Sequence, residues 1–477
     1  LDLGKIAVGA ATWQPTPPNT ENVKLNTRIW KFTGLAVMAL LVGPRLYADD
    51  FARLEEWFSK PVAMRGAVPS LTSGIFTNAD DVRVAAGKVW QAYKSGAIAL
   101  GWDKDLPAPP PTVEELEAMP REQRPKLTRS HIVDSGKDML FLLYARGKRG
   151  TNGWPFFITL HGGGAADRKV EPHGFAVNDS EWKAQIRLFM AIYPPGLYFI
   201  PRMPDDNDGR WWYNYCQSIF DHVIRCAILF RDVDPNRVYI MGISEGGYAA
   251  YRLGAQTPDR WAGSCSMAAA EPMDTSPPEN FRNLPFRCAI GENDTMFGRI
   301  DLARRYFAKL DELKKGDGAT DGYIHFLDEQ PARGHGIDYK PGPLWIAQFE
   351  RNPWPRRVVW TVQPLHGVVR QQMYWLALDQ VPDKMPLYLA ATSENNVITL
   401  TAEQNEGENK RSAARGIELR VYLNDTLADM DKPVKLIVNG KTVYEGRVER
   451  RWSTLARSLN ERGDPCFMFP AELSVKL

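Results

Sequence analysis

Histidine and cysteine are scarce in these 477 residues, at seven and five. Cys216, Cys226, Cys265, Cys288 and Cys466 have none of the short paired spacings of a zinc or redox site. Cys265 and Cys288 fall in apolar, strand-like runs, where a buried free thiol is the usual outcome. Cys216 and Cys226 stand ten residues apart in one predicted helix, which argues against a disulfide between them. An excess of either charge is missing too. The 59 basic and 57 acidic side chains leave a net +2, no field that would draw a nucleic acid. No apolar run reaches the roughly 20 residues of a membrane-spanning helix. There is no internal repeat and no low-complexity segment.

What is present is the composition of a globular protein, 44% hydrophobic and 24% charged, with length for two or three domains. Residues 1–27 are polar and rich in Pro and Asn, and are expected to be disordered or to lie upstream of the true start. Arg28 and Lys31 then flank an apolar run at 32–43, and Ala48 precedes Asp49-Asp50, a pattern that fits a secretory signal peptide. Leu46 is an unfavourable side chain two positions before that junction, and a buried helix is the alternative. On this reading 1–48 is a leader and the protein is secreted or periplasmic. Residues 49–127 are predicted helical: Val82, Val84, Val89, Ala92 and Tyr93 recur at helix-like spacing. Prolines at 107–111 make a linker, and Thr112 opens one more short helix. This segment carries no catalytic signature and is expected to pack on the next domain or roof its cleft.

From 128 to 350 the pattern alternates. Strands are predicted at 139–144, 156–160, 196–200, 238–243, 264–269, 286–290 and 323–327, with helices at 180–190, 215–230, 247–255 and 300–314. Continuous apolar strands separated by helices imply a mostly parallel sheet covered on both faces, with functional groups beyond the carboxyl ends of the strands. From 351 to 477 short strands alternate without long helices, after the break at Pro353-Trp354-Pro355 and around the hairpin signal Asn439-Gly440. This predicts a small β-sandwich-like domain.

The chemistry centres on Gly242-Ile243-Ser244-Glu245-Gly246, which follows an apolar strand and precedes a helix-prone run. A serine hydroxyl becomes a nucleophile on a sharp strand-to-helix turn that a base can reach, and glycines on either side let strand and helix pack closely. Ser244 then needs a base, an orienting acid and an oxyanion hole. Asp294, in the turn after the 286–290 strand, is the expected acid, with Glu292 as competitor. His335, between Gly334 and Gly336 in the loop after 323–327, is the expected base. Of the other histidines, His325 lies in a strand, His222 in a helix, and His131 and His366 outside the cleft; His173, in a loop near the oxyanion region, is the alternative base. His161-Gly162-Gly163-Gly164 follows the 156–160 strand, so Gly163 or Gly164 is expected to give one oxyanion N–H and Glu245 the other. Trp211, Trp212, Tyr213 and Tyr215 form a candidate aromatic wall for a sugar or aryl ring, with His161, Trp182 and His173 opposite. Alternatively these rings pack beneath the helix that follows.

With HGGG at 161–164, GISEGG at 242–247, GEND at 291–294 and GHG at 334–336 in this order, residues of about 130–350 resemble the α/β-hydrolase superfamily. DVDPNRVYIMGISEGGY at 232–248 further resembles its polyhydroxyalkanoate-depolymerase-like, feruloyl and acetyl-xylan esterase branch. The resemblance covers about half of the chain. It implies ester hydrolysis through an acyl-serine intermediate, without metal or cofactor, on a plant-polysaccharide or aromatic ester. Glu245 departs from the Met, Gln or Tyr often found beside the nucleophile there, and its carboxylate would disfavour anionic substrates if it faced the cleft. Two other readings stand beside this one. A prolyl-oligopeptidase-type peptidase uses the same triad, but the N-terminal segment is too short and too helical for that family's propeller. A carbohydrate-binding protein on a hydrolase scaffold is opposed by the complete set of catalytic residue types.

Overall fold

A computed structural model describes residues 48–71, 74–124, 129–191, 194–407 and 410–477. The expected leader lies outside them apart from Ala48, which opens helix α1 (Ala48–Phe58). At the centre is an eight-stranded sheet. Its strands are β1 (Arg129–Asp134), β2 (Lys137–Arg146), β3 (Trp154–Leu160), β4 (Gly196–Pro201), β5 (Val233–Ile243), β6 (Gly263–Met267), β7 (Phe286–Gly291) and β8 (His325–Gln330). They lie in the order β1-β2-β4-β3-β5-β6-β7-β8. Strand β2 runs antiparallel to β1 and β4; every other pair is parallel. This is the α/β-hydrolase arrangement. The sequence reading missed β1, an edge strand with one buried residue among its six, so no continuous apolar run marks it.

Register across the sheet is visible in one row of rings. Tyr144 of β2 stacks on Tyr198 of β4 at 4.8 Å, Tyr198 on Phe157 of β3 at 4.7 Å, and Phe157 on Tyr239 of β5 at 4.7 Å. Planar side chains opposite one another on adjacent strands fill that face without voids, and a one-residue slip would turn the row to the other side. Helix α4 (Ala176–Met190) covers this face through Trp182, Ile186 and Phe189. The other face packs against α5 (Asn214–Phe230), α6 (Glu245–Gln256) and α7 (Arg299–Asp317).

The N-terminal helices follow the sequence reading. Helix α2 (Ala79–Ala99) is capped by Asn78, and Thr112 with Glu115 makes a capping box on α3 (Val113–Ala118). Their position corrects the idea of a roof. Leu54, Phe58, Val89 and Tyr93 share a buried cluster with Leu229, at the end of α5 away from Ser244, and with Trp452, Leu455 and Leu459. Those last three belong to a helix the sequence reading missed, Trp452–Arg462, which interrupts the C-terminal strands.

Beyond residue 356 the strands form two sheets over one buried cluster, apart from Arg450–Arg451, which pairs with Ile75–Phe76. One is a six-stranded sheet that includes Arg357–Val362, Leu387–Glu394, Val397–Asn405, Val434–Val438 and Lys441–Gly446; the other is four-stranded and ends in Ala471–Lys476. Asn439 and Gly440 both take positive φ in the hairpin, as its type I′ geometry requires. The sheets are tied to the catalytic half by buried polar contacts. Arg351, paired with Asp464 at 2.9 Å, also donates to Asp259 O at 2.7 Å, and the Asn280 amide spans both Thr361 backbone groups. Among the described residues no helix is long and apolar enough to cross a membrane.

Candidate active site

Strand β5 ends in Ile243, and α6 begins two residues later, at Glu245. Ser244 between them has φ 53° and ψ −110°, a conformation L-residues avoid. The elbow is held from two sides. The Ser244 N–H donates to Met267 O at 2.8 Å, and the chains cross so tightly that a Cβ on Gly242 would lie 2.2 Å from Gly246 backbone, and one on Gly246 2.1 Å from Leu160 O. Both glycines of the motif are thus required by strand-helix contact.

His335 Nε2 lies 3.1 Å from Ser244 Oγ, and its Nδ1 lies 2.7 Å from Asp294 Oδ2. A carboxylate only accepts, so Nδ1 carries the proton and Nε2 is free to take the one from Oγ. Asp294 is buried while the ring is half exposed. The acid turn and the base loop touch: a Cβ on Gly291 would fall 2.1 Å from Gly334 O, and Asn293 N–H donates to Arg333 O at 2.8 Å. Glu292 is exposed and accepts from Ala332 N–H at 2.9 Å, so it braces the base loop from outside. His173 accepts from Arg202 at 3.1 Å and is engaged away from Ser244.

Arg299, which the sequence reading passed over, completes the group. It is buried at the start of α7; its guanidinium gives Nη1–H to Asp294 Oδ1 at 3.0 Å and Nε–H to Tyr248 Oη at 2.7 Å. Both oxygens of Asp294 are thereby occupied, one by the base and one by a fixed cation. A basic residue opening the helix after the acid turn was the available signal, but nothing local says that it folds back.

The glycine loop after β3 is held from beneath. Gly163 and Gly164 take φ of 99° and 125°, which glycine alone adopts freely. Asn178, buried on α4, accepts from Gly164 N–H at 2.9 Å and donates to Gly164 O and Asp206; Asp206 is in turn paired twice with buried Arg202. Gly164 N–H is therefore spent, which corrects its assignment as a free donor. Gly163 N–H and Glu245 N–H have no partner among the described residues. Gly162 runs beside the nucleophile: a Cβ there would be 3.4 Å from Ser244 Cβ.

The expected substrate contacts need correction. His161 is fully buried, its Nε2 accepts Met203 N–H at 2.9 Å, and burial pushes the ring down to about 4, so it is a neutral brace of the loop. Trp211 is also fully buried and donates to His161 O at 2.9 Å, clamping the same loop from behind. Trp182 and Tyr215 are buried as well. Trp212 and Tyr213 are half buried, and each has a face already covered: Arg252 sits 4.0 Å over Trp212, and His366 stacks on Tyr213 at 3.7 Å. His366 comes from the C-terminal half, placed outside the cleft by the sequence reading. Among the exposed apolar side chains, Met296 and Phe297, 60% and 76% exposed, lie in the turn after the acid.

Glu245 does not reach into solvent. Its carboxyl is buried near Gly164, 3.5 Å from Arg210 Nε, and Oε1 accepts no hydrogen bond among the described residues. Burial pushes it up to about 7, against Arg210 and Arg252, which pull it down, and with Glu271, which adds to the rise. A carboxyl raised above its unfolded value of 4.5 holds its proton more tightly in the folded state. Stability then falls as pH rises from that value to about 7 and levels off above it. Two to three units correspond to about 3 kcal/mol. Glu245→Gln, which cannot ionise, is expected to gain most of that at pH 8.5 and little at pH 4 in urea unfolding. An equal difference at both pH values would show that ionisation of Glu245 is not its origin.

No family model matches the chain. It is 30% identical over 207 residues to the Nocardia uniformis subsp. tsuyamanensis protein named "Putative esterase NocK", a match covering 40% of this chain and 57% of that one. The chain thus spans little more than half of that relative's length. Solved structures similar to it include a thermostable esterase (18% identity, 47% of this chain and 63% of that one, TM-score 0.35). Another is the feruloyl esterase module from Clostridium thermocellum complexed with sinapinate (12%, 47% and 87%, TM-score 0.34). A third is the poly(3-hydroxybutyrate) depolymerase LpqC from Bordetella parapertussis (14%, 48% and 92%, TM-score 0.33). Scores of this size add nothing to the argument from strand order and side-chain geometry.

Proposed function

We propose that this protein is a serine hydrolase that cleaves carboxylic esters through an acyl-serine intermediate. The observation that carries the reading is the relay of Ser244 Oγ, His335 Nε2 and Nδ1, and Asp294 Oδ2 at 3.1 and 2.7 Å, built on a strained elbow. As Oγ attacks the ester carbonyl carbon, its proton passes to Nε2, and the imidazolium is stabilised by Asp294, which stays ionised. The carbonyl oxygen takes the negative charge and is met by the N–H groups of Gly163 and Glu245. Collapse breaks the bond to the alkoxide, which leaves with the proton from Nε2. Water then repeats the sequence on the acyl-serine and regenerates Ser244. The Glu245 carboxyl, close to its own donor N–H, is least opposed to the oxyanion when protonated, which its raised titration range favours.

The substrate class we assign is a carbohydrate-linked or aromatic ester. A ring of either kind stacks on flat apolar surface, and Phe297, three residues beyond the acid and 76% exposed, offers the face turned away from the Arg299 guanidinium, which lies 5.0 Å from its centroid. Turnover is tested on nitrophenyl acyl esters, methyl ferulate, acetylated xylan and dipeptide nitroanilides. Hydrolysis of the esters with no cleavage of the anilides is expected. Anilide cleavage with matching efficiency would favour the peptidase reading, and binding of xylan without turnover of any ester would overturn catalysis.

A further inference from the structure

Away from Ser244, a second group of reactive side chains converges where the N-terminal segment meets the catalytic half. Asp105 closes a short 3-10 turn, Trp102–Lys104, and His222 and Cys226 lie one turn apart on α5. The ligand atoms of all three lie within 4.8 Å of one another. His222 Nε2 is 2.6 Å from Asp105 Oδ2 and 3.5 Å from Cys226 Sγ. Cys226 is fully buried; the side chains of His222 and Asp105 are 17% and 36% exposed.

This differs from the relay at Ser244. There the acid and the nucleophile contact opposite nitrogens of one imidazole. Here carboxylate and thiol contact the same nitrogen, so no proton can pass through the ring from one to the other. Three donors around one point form a coordination set. Bonds of about 2.0–2.1 Å to nitrogen and oxygen and about 2.3 Å to sulfur, arranged tetrahedrally, place N and S about 3.5 Å apart and N and O about 3.3 Å apart. The first separation is already present. The second needs Asp105 to move by several tenths of an ångström, open to a half-exposed side chain at a turn.

The turn itself is fixed. Arg231 donates to the carbonyl oxygens of Asp103, Leu106 and Pro107, and Trp102 stands edge-on to the His222 ring at 5.0 Å. Two residues before Asp105, Asp103 Oδ1 is buried and has no hydrogen-bond partner among the described residues.

We propose that Asp105, His222 and Cys226 bind a borderline-soft divalent cation of the Zn²⁺ or Co²⁺ class. The cation joins the turn at 102–105 to α5, with water at the fourth position. One thiolate, one carboxylate and one imidazole suit such an ion better than Mg²⁺ or Ca²⁺, which favour all-oxygen sites. On binding, the Cys226 thiol gives its proton to solvent and its sulfur lone pair to the metal, and the two ligand charges balance the ion.

The experiment uses untagged protein stripped with a chelator and titrated with Co²⁺. One equivalent should produce a near-ultraviolet thiolate-to-cobalt band, displaced by Zn²⁺, together with a rise in the unfolding temperature. Cys226→Ser should abolish the band, and His222→Gln and Asp105→Asn should each weaken binding at least tenfold. Asp105→Asn alters a half-exposed side chain outside the core, so it reads the site even if a helix variant folds poorly. No thiolate band at saturating Co²⁺, a band that survives Cys226→Ser, or unchanged affinity in Asp105→Asn would each overturn the proposal. Ester turnover, which runs through Ser244, reports separately on the reading of the active site.

Discussion

Replacing Ser244 by Ala is expected to lower ester turnover by a factor on the order of 10⁴ to 10⁶, and His335→Ala by a similar factor. Each tenfold is about 1.4 kcal/mol of transition-state stabilisation, so the loss is several times the roughly 1 kcal/mol that one hydrogen bond contributes to stability. It must come from losing the covalent route. That is why the two changes should not multiply: with Ser244 gone, His335 has no proton to take, and with His335 gone, Oγ is too weak a nucleophile. The double variant should be little slower than either single one. Thermal unfolding of Ser244→Ala should stay near that of the wild type, because among the described residues Oγ bonds only to the half-exposed His335 ring. An organophosphonate should label Ser244 alone, read by peptide mass. Multiplicative losses, or label on another serine, would mean that the two residues do not act as one unit.

The residues of that unit could be read from the sequence because each is marked by local backbone demands. Gly242 and Gly246 bracket Ser244 where β5 and α6 cross, and Gly291 and Gly334 meet where the acid turn touches the base loop. Glycines forced by close approach leave a sequence signature whatever the partner. The supports of the site leave none. Asn178, Asp206 and Arg202 hold the glycine loop through bonds that span up to 28 positions, and Arg299 reaches its carboxylate by folding back at a helix start. The aromatic run at 211–215 misled for a related reason: type and spacing say that rings gather, while which face meets solvent depends on His161 and on His366 from the far half of the chain. The metal-ligand set was equally hidden, since Asp105 lies 117 residues before His222. The C-terminal strands were legible from alternation and from Asn439-Gly440, but Trp452–Arg462 was not, because its apolar stripe faces helices at the opposite end of the chain.

Arg299 determines what an amide does at the position of the acid. Asp294→Asn keeps the shape but offers one acceptor and one donor in place of two acceptors. Arg299 only donates, so the Asn oxygen must turn to Arg299 and its NH₂ to His335 Nδ1. That nitrogen then has to accept, the ring proton moves to Nε2, and Nε2 donates toward Ser244 Oγ when it should accept from it. Turnover should fall by a factor on the order of 10⁴, as expected for the wrong tautomer. Glu292→Gln should stay within a few-fold of wild type, since Glu292 only braces Ala332 N–H. The double variant Asp294→Asn/Arg299→Met separates this account from simple loss of charge. Without the guanidinium the amide can rotate, give its oxygen to Nδ1 and restore the productive tautomer. The double variant should therefore be faster than Asp294→Asn alone, although Arg299→Met by itself slows the wild-type enzyme by freeing Asp294 Oδ1 and Tyr248. A double variant as slow as Asp294→Asn, or slower, would show that charge and not tautomer is what Asp294 supplies. Loss of turnover in Glu292→Gln with little effect in Asp294→Asn would move the acid to Glu292.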